Sequence, residues 1–210
     1  MNGYKGCVVV QGASYDFIIP KLRKCWEGYQ IIFSTWEGEN KSLYFDSDIV
    51  VYSPQPKDRG IINFNYQKVS TLAGLEKAKE LGWDRVVKWR SDLVCKNADG
   101  LFELFNPDSL NLYAWVTIGV GYITDYFMEG EIDDLYKMFD THCEEFAEKM
   151  VTHKIYDNGF NKKANYILNE VTGPNDIYFE RKDFWLSENI DKPEYFKNSM
   201  PDEWCGFKSL

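Results

Sequence analysis

Four short apolar runs, spaced by helix-length segments, constrain this chain more than any other feature. Cys7–Val10 is continuous and apolar and ends in Gln11-Gly12-Ala13-Ser14, the pattern of a buried strand running into a tight loop. Ile18, Leu22, Cys25 and Trp26 follow at helical spacing, and Gly28 is placed to stop the helix. Gln30–Ser34 reads as a second strand. Asp48–Tyr52 reads as a third, closed by Ser53-Pro54-Gln55-Pro56. A helix is expected from about Asn65 to Leu81, with Leu72, Leu75, Ala78 and Leu81 inward and Gly82 past its end. Arg85–Trp89 is the fourth strand. Strands joined by helices of this length make right-handed crossovers, so the first hundred residues predict a mainly parallel α/β sheet.

The second half changes character. Leu110–Val116 and Gly121–Phe127 are strand-like with no room for a helix between them, which predicts an antiparallel addition to the sheet. Three helices are expected next. The first places Ile132, Leu135, Tyr136 and Phe139 on one face. The second carries Cys143, Phe146, Ala147 and Met150, with Thr141 and Glu144 as a capping box. The third runs from about Asn158 to Val171, with Phe160, Ala164, Ile167 and Leu168 inward. The tail from Thr172 is aromatic and irregular. No repeat, low-complexity tract or linker interrupts the pattern, so residues 1–210 read as one domain. The same pattern suits a whole protein or one domain of a longer chain.

Charge narrows the partners. Lys and Arg number 24 against 33 Asp and Glu, a net charge of -9. A nucleic-acid binder needs a basic footprint, and an anionic membrane surface would repel this chain. A phosphate-bearing ligand stays open, because a local Arg and Lys, a helix N-terminus or a bound metal reverses the sign locally. The 14 Tyr, 14 Phe and 7 Trp supply core area and stacking surfaces. Cys7, Cys25, Cys95, Cys143 and Cys205 lack the close spacing of a zinc or redox motif, so reduced thiols in a cytoplasmic compartment are expected. Cys7–Val10 is too short for a signal-peptide core, and no run approaches the roughly 20 apolar residues of a membrane span.

In an open parallel sheet, ligands bind beyond the carboxyl ends of the strands. The loops beginning at Gln11, Ser34, Ser53 and Arg90 should therefore share one edge. Arg90-Ser91-Asp92 is the most distinctive of them. A carboxylate at Asp92 could hold a divalent metal that bridges two phosphates. Lys88 and Arg90 alternate with Trp89, so they share a face and could meet a diphosphate. The alternative is a plain Arg–Asp pair at a strand end. The literal Asp46-Ser47-Asp48 precedes its strand and reads as a solvated turn at the wrong edge. Asp133-Asp134 suits the first turn of a helix.

Ser34-Thr35-Trp36-Glu37-Gly38-Glu39 offers hydroxyls, acids and an exposed Trp to a base or sugar, or is simply a turn. Asn63, Asn65, Gln67, Ser70 and Thr71 gather at a helix start, where backbone N–H groups attract anions and Asn65 could equally be the cap. Asp125, closing Gly121–Asp125, could be a general base or a surface acid in a turn. His142 and His153 have no partnering pattern. There is no Gly-x-Gly-x-x-Gly, Walker loop, Gly-x-Ser-x-Gly or His-Glu-x-x-His.

Three ordered blocks carry a resemblance. Ser34-Thr35-Trp36-Glu37-Gly38, then Asn63-x-Asn65-x-Gln67-x-x-Ser70-Thr71-x-x-Gly74-Leu75, then Lys88-x-Arg90-Ser91-Asp92 resemble the WavE-type glycosyltransferases of lipopolysaccharide synthesis. They are also similar to the amino-terminal glycosyltransferase domain of proteins of large algal viruses. The likeness covers roughly residues 5–130, with a weaker echo to Val171.

The resemblance implies a GT-A-like fold, with a nucleotide-binding half over about 1–100 and an acceptor-binding half over about 101–210. It implies sugar transfer from a nucleoside-diphosphate sugar, a UDP-sugar foremost, to a glycan acceptor, with Mn2+ or Mg2+. A viral source would place the chain in host cytoplasm. Such enzymes hold the metal on an Asp-x-Asp motif at a strand end. Here Arg90 replaces the first acid and only Asp92 remains. On this reading Gln11, Gly12 and Trp36 line the nucleoside pocket, and Asn65 helps hold the ligand. Lys88 and Arg90 meet the diphosphate, Asp92 binds the metal, and Asp125 is the base if the reaction inverts. A non-catalytic carbohydrate- or nucleotide-binding module and a nucleotidyltransferase are the alternatives.

Overall fold

The computed structural model describes residues 3–60, 63–95, 97–117, 120–140, 164–168 and 177–179. The first strand, β1 (Cys7–Gln11), is buried along its whole length, as a central parallel strand must be. It leads through α1 (Ile19–Cys25) to β2 (Gln30–Trp36), and a 3-10 turn at Lys41–Leu43 precedes β3 (Ile49–Ser53). The long helix α2 (Phe64–Glu80) then crosses back over the sheet to β4 (Arg85–Arg90). A short strand β5 (Leu93–Cys95) and helix α3 (Ala98–Glu103) follow. The hairpin of β6 (Leu110–Thr117) and β7 (Val120–Glu131) leads into α4 (Ile132–Phe139). Two further strands are β8 (Ala164–Leu168) and β9 (Ile177–Phe179).

The main sheet has the order β3-β2-β1-β4-β7-β6-β8. The first four of these strands run parallel, and β7 then adds antiparallel to β4. This is the expected mainly parallel α/β sheet with an antiparallel addition. β5 and β9 form a separate antiparallel pair.

The core has two layers. Cys7, Val9, Ile32 and Val86 face α2 and α4, where Phe64, Leu75, Ala78, Leu135 and Phe139 cover them. Val8, Val10, Val87 and Trp89 face α1 and α3, where Leu22, Trp26 and Leu101 lie. α2 approaches the sheet closely at Gly74. A Cβ there would lie 2.3 Å from Val9 Cγ1 and 3.1 Å from Ser34 Cβ. Only a residue without a side chain lets the helix sit that low.

Several expectations need correction. The segment expected as a third helix forms β8 over Ala164–Leu168, parallel to β6. A short apolar run cannot be told from a helix turn by periodicity, and the edge of β6 supplies the backbone partners that decide it. Leu81 is not inward but 38% exposed, because α2 stops at Glu80 and Leu81 leaves the helical period. The strand expected to end at Phe127 continues to Glu131, so Asp125 lies inside β7 and not in a turn. The helix expected over Cys143–Met150, its capping box, His142 and His153 lie outside the described residues.

Candidate functional site

Parallel register brings the carboxyl ends of β1 to β4 to one edge. Gln11 pairs with Ser34 on one side and Arg90 on the other, and Trp36 pairs with Ser53. The edge has a switch point. From β1 the chain goes by α1 to β2 on one side, whereas α2 delivers β4 to the other side on the opposite face. A crevice opens where connections diverge in this way, and ligands of open α/β sheets bind there. In this protein the switch point lies between Gln11-Gly12 and Arg90-Ser91.

The two loops touch at Gly12. Its φ is 124°, and a Cβ there would lie 2.6 Å from Ser91 Oγ. The Ser91 amide donates to Gln11 O at 2.9 Å and the Gly12 amide to Ser34 O at 3.0 Å, so the sheet ladder runs into the loops. Gln11 is buried. Its Oε1 accepts from Ser70 Oγ at 2.8 Å, while Ser34 Oγ donates to Ser70 O at 2.6 Å. These bonds fix α2 against the edge.

Beyond β2, Trp36 is 4% exposed, not the surface aromatic expected. It packs on Tyr66, 5.2 Å between ring centroids, and the Arg59 guanidinium lies 5.8 Å from the Tyr66 ring. Asn65 braces the preceding loop, with Nδ2 donating to Asp58 O at 3.3 Å and its amide to Arg59 O at 3.0 Å. The cap position of α2 is Asn63, in the left-handed region, and not Asn65. Gln67 Oε1 and Thr71 Oγ1, one turn apart on α2, are buried without a hydrogen-bond partner among the described residues. Buried polar atoms are seldom left so.

The charged centre is Arg90. Its Nε and Nη2 donate to the two carboxylate oxygens of Asp92 at 3.0 and 2.7 Å. Its Nη1 donates to Asp125 at 3.1 and 3.4 Å, and the guanidinium lies 5.4 Å from the Tyr126 ring. Burial opposes the Arg90 charge, but Asp125 and then Asp92 overcome it and hold the guanidinium well above its ordinary range. Asp125 is 1% exposed. Burial alone would push its carboxyl up; Arg90 first and Lys88 second reverse this and hold it below the ordinary carboxylate range. Lys88 is fully buried and its ammonium donates to Asp125 O.

The expected residues thus separate into groups. Gln11, Gly12, Arg90, Asp92 and Asp125 come together at the switch point. Trp36 and Asn65 flank it beyond β2 and at the start of α2. Lys88 lies beneath, enclosed. Asp46-Ser47-Asp48 lies at the opposite end of its strand, as expected, with Asp48 bound to Arg23. Asp133 pairs with Lys79 at 2.8 Å.

Sequence reasoning missed a hydroxyl cluster at the same edge. Ser14 Oγ lies 2.9 Å from Thr35 Oγ1 and 2.5 Å from Tyr44 OH, and burial pushes the Tyr44 phenol up to about 12. Ser14 and Thr35 sit in the loops already singled out. Nothing in the spacing of Tyr44 marks it.

The implied divalent ion is Mn2+ or Mg2+. Such ions seek several carboxylate or carbonyl oxygens at short range. Among the described residues no group of three or more acidic, His or Cys side chains could hold a metal. Both oxygens of Asp92 already face a guanidinium, which places positive charge where the ion would sit. In this arrangement the residues do not fit a resident metal.

No family model matches the chain. No curated protein matches it. Among solved structures, it is similar to a chain assigned as a glucose-1-phosphate thymidylyltransferase from Bacillus anthracis in complex with sucrose. Identity is 12%, the TM-score is 0.47, and the match covers 79% of this chain and 86% of that one. At that level the neighbour's chemistry does not transfer. Among the described residues, no helix is long and apolar enough to cross a membrane.

Proposed function

We propose that this protein transfers a sugar from a nucleoside-diphosphate sugar to a hydroxyl of a glycan acceptor. One observation supports the reading: the three sequence blocks that resemble WavE-type enzymes meet along one sheet edge, with Arg90 at its switch point. Gln11 and Gly12 form the floor, and Tyr66, backed by the buried Trp36, forms an aromatic wall for the nucleoside. Asn65 shapes the loop over that wall. Arg90 would turn its fork from Asp92, which it now holds through Nε and Nη2, to paired phosphate oxygens of the donor. Negative charge grows on the diphosphate as the glycosidic bond to it breaks, and Arg90 stabilises that charge. Lys88 adds positive potential from beneath without touching the ligand.

Asp125 has two candidate roles, base for an inverting reaction or counter-charge that positions Arg90. Its burial and lowered pKa favour the second, because a strongly paired carboxylate is a poor proton acceptor. Asp92 orients Arg90 from the other side.

The test is turnover. The protein is incubated with a panel of nucleotide sugars and glycan acceptors, with Mn2+ or with a chelator, and nucleoside diphosphate release is followed. Release that persists under chelation and drops at least tenfold in Arg90→Lys supports the proposal. A strict Mn2+ requirement, lost in Asp92→Asn, would return Asp92 to the metal-ligand role. A donor that binds and is never consumed identifies a non-catalytic binding module. Pyrophosphate release from a nucleoside triphosphate and a sugar phosphate identifies a nucleotidyltransferase.

A further inference from the structure

We propose that Cys25 and Cys95 are a site of reversible disulfide cross-linking between α1 and β5. Cys25 is the last residue of α1 and Cys95 the last of β5, two elements that pack on each other. They are 70 residues apart in sequence, yet the Cys95 amide donates to Cys25 Sγ at 3.3 Å. That contact holds one sulfur against the backbone of its partner, the proximity that a disulfide's short Cα separation demands. No disulfide joins the two in this structure. Cys25 is partly exposed and Cys95 is buried, so one can meet a reagent and the other can resolve the product. Cys7 differs: it lies in the other core layer, beneath α2.

The reaction needs an electron acceptor, and a small-molecule disulfide such as glutathione disulfide supplies it. Cys25 loses its proton and attacks one glutathione sulfur. The glutathione S–S bond breaks, and one glutathione thiolate leaves with the electron pair. Cys95 then loses its proton and attacks Cys25 Sγ, forming the protein disulfide and expelling the second glutathione thiolate. The two expelled thiolates take up the two protons, so two protein thiols are oxidised and one small disulfide is reduced. The hydrogen bond between the two thiols, together with burial, pushes the Cys25 thiol far up. Thiolate is therefore scarce at neutral pH, and cross-linking is slow and accelerates as pH rises.

The inference stands apart from the sugar-transfer reading. It does bear on the same edge, because β5 begins directly after Asp92 and Trp89 Nε1 donates to Leu93 O at 2.9 Å. A bridge at Cys95 would anchor the segment that leaves the Arg90–Asp92 turn.

The native chain is exposed to glutathione disulfide at rising pH, alkylated in denaturant, digested and analysed by mass spectrometry. A second sample is treated in the same way in urea. The expected result is a Cys25–Cys95 peptide pair lacking both thiol hydrogens, formed in the native sample, faster at higher pH and removed by dithiothreitol. In urea the cysteines should pair without this preference. Cys25→Ser should abolish the pair while leaving the native circular dichroism unchanged. The proposal is overturned if Cys25 and Cys95 are both recovered alkylated from the native sample. It is equally overturned if Cys25 stops at the glutathione adduct, or if either residue pairs with Cys7, Cys143 or Cys205.

Discussion

Arg90 donates to Asp92 on one side and to Asp125 on the other, and only Asp125 is fully enclosed. Removing the guanidinium would strand that carboxylate in the interior. Arg90→Ala should cost roughly 3 kcal/mol in urea unfolding, the usual scale for breaking a buried pair from one side. Arg90→Lys should recover part of this, because a single ammonium cannot serve both acids in the geometry of the fork. Asp125 also sets a pH dependence. Its folded pKa lies below the unfolded value, so its contribution is present above about pH 3.9 and is lost as pH falls through the folded value. Asp125→Asn should therefore remove part of the wild-type acid sensitivity. In unfolding measured from neutral pH downward, the stability gap between the two proteins should narrow only below about pH 4. Gly12 faces a different constraint, a φ of 124° and a Ser91 hydroxyl 2.6 Å from any added Cβ. Gly12→Ala should cost about 1–3 kcal/mol. Adding Ser91→Gly should return only the contact part of that loss, which a double-mutant cycle resolves.

At the scale of elements, α2 is held low over β1 and β2 by the absence of a side chain at Gly74. An alanine gains up to about 1 kcal/mol of helix propensity, but it drives Cβ into Val9 and the contact should win. Gly74→Ala should lower stability by roughly 1–3 kcal/mol, and Val9→Ala in the same chain should relieve the clash while opening space elsewhere. Denaturant midpoints of the single and double variants check this. α2 was legible in the sequence because its period is long and its end is marked by Gly82. The four parallel strands were legible because each is a compact apolar run bounded by turn residues. Their polarity alone puts Gln11, Arg90 and Asp92 at one edge, where the β1–β4 register has them. β8 was not legible, since its strand character comes from pairing with β6 and not from its own pattern. The ion-pair triad was half legible. Arg90 and Asp92 are neighbours in sequence, but Asp125 joins them through the β4–β7 pairing, and burial of its carboxylate has no local signal. Trp36 misled for a similar reason: its cover, Tyr66, comes from another element.

At the scale of the molecule, the two sequence halves share one sheet. β4 gives its outer edge to β7, and β6 and β8 extend the sheet beyond that. A chain ended at residue 109 would keep all four parallel strands but leave the β4 edge unpaired, an invitation to association. Such a fragment should be insoluble or unfold without cooperativity, as circular dichroism and size-exclusion chromatography would show, whereas the full chain should unfold in one transition. The aromatic layer beside β4 has an optical consequence. Trp89 stacks on Phe127 at 5.4 Å and meets Trp26 edge-on at 4.9 Å, with all three rings fully enclosed. Enclosed indoles emit at short wavelength and exchange excitation with close neighbours. Trp89 is the residue before Arg90, so under the proposed function a diphosphate that draws Arg90 away from its acids should shift the emission of that layer. A label-free fluorescence titration with a nucleoside diphosphate would read that shift against the emission of the chain's 7 tryptophans together.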